Sequence, residues 1–207
     1  MAEKIDIADL KQTSFSDKNA KLFTEALADP ESKLGLGSTA AYSAAVAAAL
    51  MLRAVRCCAP DDPALKKAEA DIDKLRTYFV HLIDEENKAK LPLEKRVGKA
   101  DVPENELEAA YRTACIIDDE ILYSTITLIE VFAAVSDKLC SCMAAQCSAA
   151  LFYAKTAMES VRLQLAVYAS KMKDEVTAHT TRREPEIAIA GVEEKISSLI
   201  KSFEAKI

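Results

Sequence analysis

Three groups of side chains in the 207-residue sequence could do chemistry. The first is Asp84-Glu85-Glu86-Asn87, which closes an apolar stripe of Leu65, Ala68, Ile72, Leu75, Phe79 and Leu82. Steps of three and four predict a helix, and the acids fall at its C-terminal end. Carboxylates there oppose the helix dipole. A choice that breaks a local rule marks a candidate for function, the other reading being a solvated helix end. The second group is Asp118-Asp119-Glu120, inside the stripe Leu107, Tyr111, Ala114, Ile117, Ile121, Leu128, Val131, Val135 and Leu139. Three consecutive positions span most of a helix circumference, so one acid leans toward the packed face. Asp118, between Ala114 and Ile121, is that acid, either salt-bridged or catalytic. The third group is six cysteines: Cys57, Cys58, Cys115, Cys140, Cys142 and Cys147. Cys140-x-Cys142-x4-Cys147 invites a metal reading, but the spacing is not the usual C-x2-C and a fourth ligand is missing. Set among alanines, these thiols read as small hydrophobes. His81 and His179 are the only histidines and suggest no metal centre.

The element that must position these groups is the uncharged stretch from Leu34 to Leu52, which holds two of the four glycines and then a run of alanines. Gly35 and Gly37 supply backbone freedom. Ser38 is expected to cap the helix that follows, whose small residues let neighbouring backbones come close. Free N–H groups at such a start bind anions, so Gly35, Gly37 and Ser38 form a candidate ligand cradle. The alternatives are a plain core helix and a membrane span. Arg53, Arg56 and the alanine content argue against the span, and no membrane partner is expected. The glycine pattern is neither a P-loop nor a dinucleotide fingerprint.

Half of the residues are hydrophobic, glycine and proline are few, and alternating strand patterns are nearly absent. These features predict one all-α domain over residues 1–207, an up-and-down bundle of five to six helices, two of them long. The net charge of −6 and pI near 5.1 argue against nucleic acid as a partner. Residues 1–6 carry no apolar signal segment, so the expected location is cytoplasmic. A short helix is expected from residues 14–17 to Pro30, and the alanine helix is expected to reach Cys58-Ala59. An irregular basic connector is expected over residues 88–102, and a long helix from Pro103-Glu104. A weak break at Ser136-Asp137-Lys138 precedes a helix over 139–176. A polar basic turn follows at Ala178-His179-Thr180-Thr181-Arg182-Arg183, and Glu184-Pro185 opens the last helix.

Three stretches, in order, resemble the cyclodeaminase/cyclohydrolase family of folate enzymes. Leu34-Gly35-Leu36-Gly37-Ser38 stands where the family has Pro-Gly-Gly-Gly-Ser before an alanine-rich helix. Leu82-Ile83-Asp84-Glu85-Glu86 looks like a helix end bearing a key aspartate, with Glu86 nearest that position. Ser160-Val161-Arg162-Leu163-Gln164 looks like Asn-Val-Arg-x-Asn. Leu34 and Leu36 replace a proline and a glycine, Ser160 and Gln164 replace asparagines, and Cys142 falls at an aspartate position.

The resemblance implies a helical bundle that pairs into a homodimer, with a reduced folate as its small-molecule partner. It also implies a one-carbon reaction, either cyclodeamination of formiminotetrahydrofolate or cyclohydrolysis of methenyltetrahydrofolate. Neither reaction needs a metal or redox cofactor; both need an acid/base carboxylate. On that footing Glu86 carries the proton transfer, with Asp84 or Asp118 as second candidate. Gly35, Gly37 and Ser38 form the wall, with Ser160 and Gln164 at the family's asparagine positions. Arg162 holds a carboxylate or orients Glu86, and Arg182 and Arg183 meet the glutamate tail. A second reading is a catalytically degenerate helical dimer that keeps the scaffold and a ligand pocket, with Leu36 crowding the turn. A third is a cysteine-based metal or redox protein.

Overall fold

The computed structural model describes residues 20–58, 61–99 and 101–207. Six α-helices run along them: α1 (Ala20–Ala28), α2 (Leu36–Arg56), α3 (Pro63–Glu94), α4 (Glu104–Ala133), α5 (Ala144–Ala169) and α6 (Glu175–Glu204). Two single 3₁₀ turns, Ser136–Lys138 and Ser141–Met143, join α4 to α5. Each helix from α2 to α5 packs on the next and α5 closes back onto α2; α6 lies along α5 and α4. The all-α, up-and-down architecture expected from the periodicity is therefore the fold. The N-terminal arm and the start expected for the first helix lie outside the described residues.

The alanine helix α2 is the centre of the bundle. Ala40, Ala44, Ala47, Ala48 and Met51 are completely buried, and their small faces bring α3 and α5 close on either side. By length and composition α2 could cross a membrane, but 67% of its most apolar window is buried inside this fold. Around it the large side chains Phe79, Ile121, Leu128, Phe132 and Met158 complete one continuous core. Asp62 caps α3 by accepting from the Ala64 and Leu65 N–H groups, with Pro63 as first helical residue, as the sequence suggests.

Several boundaries differ from the sequence expectations. Helix α3 does not end at Asp84–Asn87 but continues through Pro92 to Glu94, so the expected basic connector is largely helical. The expected turn at residues 178–183 and the expected start at Glu184-Pro185 are both internal to α6, which Asp174 caps through the Val176 and Thr177 N–H groups. The expected helix over 139–176 is shorter at both ends. Pro92 and Pro185 each lie inside a helix that continues past them, so more than two helices are long ones. Ser38 is not the cap of α2 either. The N-cap is Gly35, and Ser38 lies within the first turn.

Candidate functional site

The site forms where the first turn of α2 meets the middle of α3 and α4. Gly37 has no Cβ, and its neighbours fill that space. A carbon built there would overlap Asp118 Oδ1 and lie 2.6 Å from Glu86 Oε1. Gly35 has a similar role two residues earlier: a Cβ would lie 2.6 Å from Lys90 Nζ. Its backbone is extended, so the need is for space rather than for unusual torsion angles. The two glycines thus admit two carboxylates and an ammonium against the start of α2.

Glu86 is 1% exposed and Asp118 fully buried. The two are held differently. The Ser38 hydroxyl, freed from capping, donates to Glu86 Oε2 at 2.5 Å. Lys90 Nζ, one turn along α3, pairs with Glu86 Oε1 at 2.6 Å. A hydroxyl donor and an ion pair suit a carboxylate, although Glu86 Oε1 itself accepts no hydrogen bond among the described residues. Neither Asp118 oxygen has a hydrogen-bond partner among the described residues. Burial raises the Asp118 pKa well above the ordinary carboxylate range, and the Glu86 charge raises it further, with Lys90 working against both. The geometry therefore sets Glu86, with an ion-pair partner and a hydroxyl, beside an Asp118 whose burial favours the protonated form, a pair with divergent environments of the kind that splits acid from base roles.

Tyr168 on α5 closes the cluster. Burial, then the Asp118 and Glu86 charges, push its phenol above the usual range; Gln164, one turn earlier, acts the other way. The Tyr168 ring packs against Tyr111 at 5.9 Å between centroids. Cys115, one turn before Asp118, is likewise pushed up by burial and by Asp118.

The structure therefore brings together Gly35, Gly37, Ser38, Glu86 and Asp118 from the sequence reading, with Gln164 at the edge. It leaves others apart. Asp84 is half-buried and exerts its charge on exposed Lys88. Arg162 pairs with Glu159 on its own helix at 2.7 Å, and Ser160 is half-buried beside it. Arg183 pairs with Glu186 on its own helix at 2.9 Å, and among the described residues no contact joins Arg182 or Arg183 to Glu86 or Asp118. Leu36 faces outward and does not crowd the carboxylates. Sequence reasoning misses two participants. Lys90 falls in the expected irregular connector, although its i,i+4 spacing from Glu86 shows it once α3 is extended. Tyr168 carries no sequence signal beyond an apolar stripe. The cysteines also divide: Cys58, Cys115 and Cys147 are buried as small hydrophobes, whereas Cys140 and Cys142 are joined in a disulfide.

Comparison with known proteins agrees with this architecture. The family model described as Formiminotransferase-cyclodeaminase matches residues 19–186. Among solved structures, the fold is similar to formiminotetrahydrofolate cyclodeaminase from Thermotoga maritima, with a TM-score of 0.78 and 14% sequence identity. That likeness covers 90% of this chain and 97% of the other. No curated protein matches. Since the family model spans most of its length, the chain belongs to the formiminotransferase-cyclodeaminase family.

Proposed function

We propose that this protein is a folate one-carbon enzyme, acting as a formiminotetrahydrofolate cyclodeaminase or a methenyltetrahydrofolate cyclohydrolase, and working as a homodimer. The observation that carries the reading is the acid pair: Glu86 supplied with a hydroxyl and an ammonium, and Asp118 buried without a donor. In cyclodeamination a ring closes at the formimino carbon and ammonia leaves. In cyclohydrolysis water adds to the methenyl carbon. Both require a base to take a proton from the attacking group and an acid to return one to nitrogen. Glu86 is the base and Asp118 the acid. Lys90 and Ser38 hold and orient Glu86, and Gly35 and Gly37 leave the room that these side chains and Asp118 occupy. No metal or redox cofactor enters this scheme. A cytoplasmic location belongs to the same reading.

The test is turnover of methenyl- and formiminotetrahydrofolate by the purified chain. Conversion of one of them is expected, falling about 10²–10⁴-fold in Glu86→Gln. Wild-type turnover that survives the substitution removes Glu86 from the role. The second reading, a scaffold that binds folate without turning it over, is favoured by how completely both carboxylates are enclosed. Calorimetric binding of a reduced folate without conversion would establish it.

A further inference from the structure

The end of the bundle away from Glu86 gathers a second reactive group. Cys58 follows the last turn of α2, and Cys140 and Cys142 lie in the connector between α4 and α5. The Cys58 thiol lies 3.2 Å from Cys140 Sγ, across 82 residues of sequence. The Cys140 backbone N–H donates to Cys58 Sγ at 3.1 Å. Nearby, Lys138 Nζ holds Asp62 Oδ2 at 2.6 Å, tying the same connector to the loop that follows Cys58. Cys58 is buried, Cys140 half-buried and Cys142 exposed, so the three sulfurs form a row from core to solvent.

We infer that Cys58, Cys140 and Cys142 form a thiol–disulfide exchange site in which one disulfide is shared between two pairings. In the first, Cys140 is bonded to Cys142, as in the structure. In the second it is bonded to Cys58. The Cys58 sulfur, as thiolate, attacks Cys140 Sγ. The Cys58–Cys140 bond forms, the Cys140–Cys142 bond breaks, and Cys142 leaves as a thiolate that takes up the proton Cys58 lost. Two electrons stay within the one disulfide, so the exchange consumes no oxidant. The Cys140 N–H holds the Cys58 sulfur beside the sulfur it attacks, which suits Cys58 as attacker. Of the other buried thiols, Cys147 lies within electrostatic reach of Cys58 but is pushed up to about 11, chiefly by burial, and Cys115 lies beside Asp118. The exchange moves the reactive thiol from the core to the surface at Cys142 and staples the end of α2 to the α4–α5 connector. The external partner is a low-molecular-weight thiol or its disulfide, reaching the exposed sulfur.

The experiment uses the full wild-type chain equilibrated in mixtures of reduced and oxidised glutathione, acid-quenched, alkylated and digested with trypsin without reduction. Cleavage after Arg56, Lys66, Lys138 and Lys155 places Cys57 and Cys58 in the peptide 57–66 and Cys140, Cys142 and Cys147 in the peptide 139–155. A cross-linked 57–66/139–155 species is expected beside the internally bonded 139–155 peptide, with fragment ions placing the bond at Cys140; a bond at Cys147 overturns the inference. The cross-link should vanish in Cys58→Ser. Absence of the cross-link from wild type at every glutathione ratio overturns the inference, as does its persistence in Cys58→Ser, which would assign it to Cys57. The wild-type readout stands by itself if the variant fails to fold.

Discussion

Gly37 has a hydrogen where any other residue would place a carbon against Glu86 and Asp118. The consequence is an acid buried without a partner, and its titration can be followed through stability. The Asp118 pKa is raised in the fold by burial and by Glu86. A carboxyl raised in this way contributes stability that is full below the ordinary carboxylate pKa of about 4 and is lost as pH rises through the raised value. Asn has the same shape and cannot ionise. Asp118→Asn should therefore melt close to wild type at about pH 4 and above it at about pH 8, in thermal scans across that range. A variant less stable than wild type at every pH would show that Asp118 is held as a charged partner instead. The pair itself was only partly legible from sequence. The lean of Asp118 toward the core follows from its place between Ala114 and Ile121. The Ser38 contact to Glu86 does not follow, because a serine after glycines reads equally well as a cap.

At the scale of the helix, proline misled the sequence reading. Pro92 and Pro185 both lie inside helices, whereas the residue pattern around each reads as a boundary. For α3 the difference matters to the site, because ending the helix at Asn87 would leave Lys90 without its register under Glu86. Packing decides the outcome. Leu93 is buried just after Pro92, and the Arg96 guanidinium donates to the Pro92 carbonyl at 3.0 Å, holding the last turn in place. The ring still removes one hydrogen bond and crowds the preceding turn. Pro92→Ala should therefore stabilise the protein by about 1–3 kcal/mol, read as a higher urea midpoint at unchanged slope. No gain would mean that the proline already fits a local bend of α3. The alanine run of α2 was legible from the outset, because small residues without charge over several turns, ended by Arg53 and Arg56, fit a close-packed interior better than a membrane.

For the whole molecule, the question is what covers the outer face of α5. Phe152, Leu163 and Val167 are each about half exposed, at 51%, 50% and 55%, although α5 is otherwise among the most buried helices. Their spacing of 11 and 4 puts all three on one stripe, with Thr156 and Ser160 between them. Half-exposed large apolar side chains aligned on one helix face suit an association surface, and a two-fold pairing is the commonest way a single chain satisfies one. Burying the three side chains against a second copy contributes about 25 cal/mol for each Å² of apolar surface removed from water. Sedimentation equilibrium should therefore give about twice the 22.5 kDa chain mass. A lysine at Leu163 would force a charge into the centre of the contact, so Leu163→Lys should sediment as a monomer while keeping its helical circular dichroism. If wild type is monomeric at micromolar concentration, the stripe serves another partner. If Leu163→Lys remains dimeric, the two-fold contact lies on a different helix, and the half-buried Ser160 stays far from any shared site.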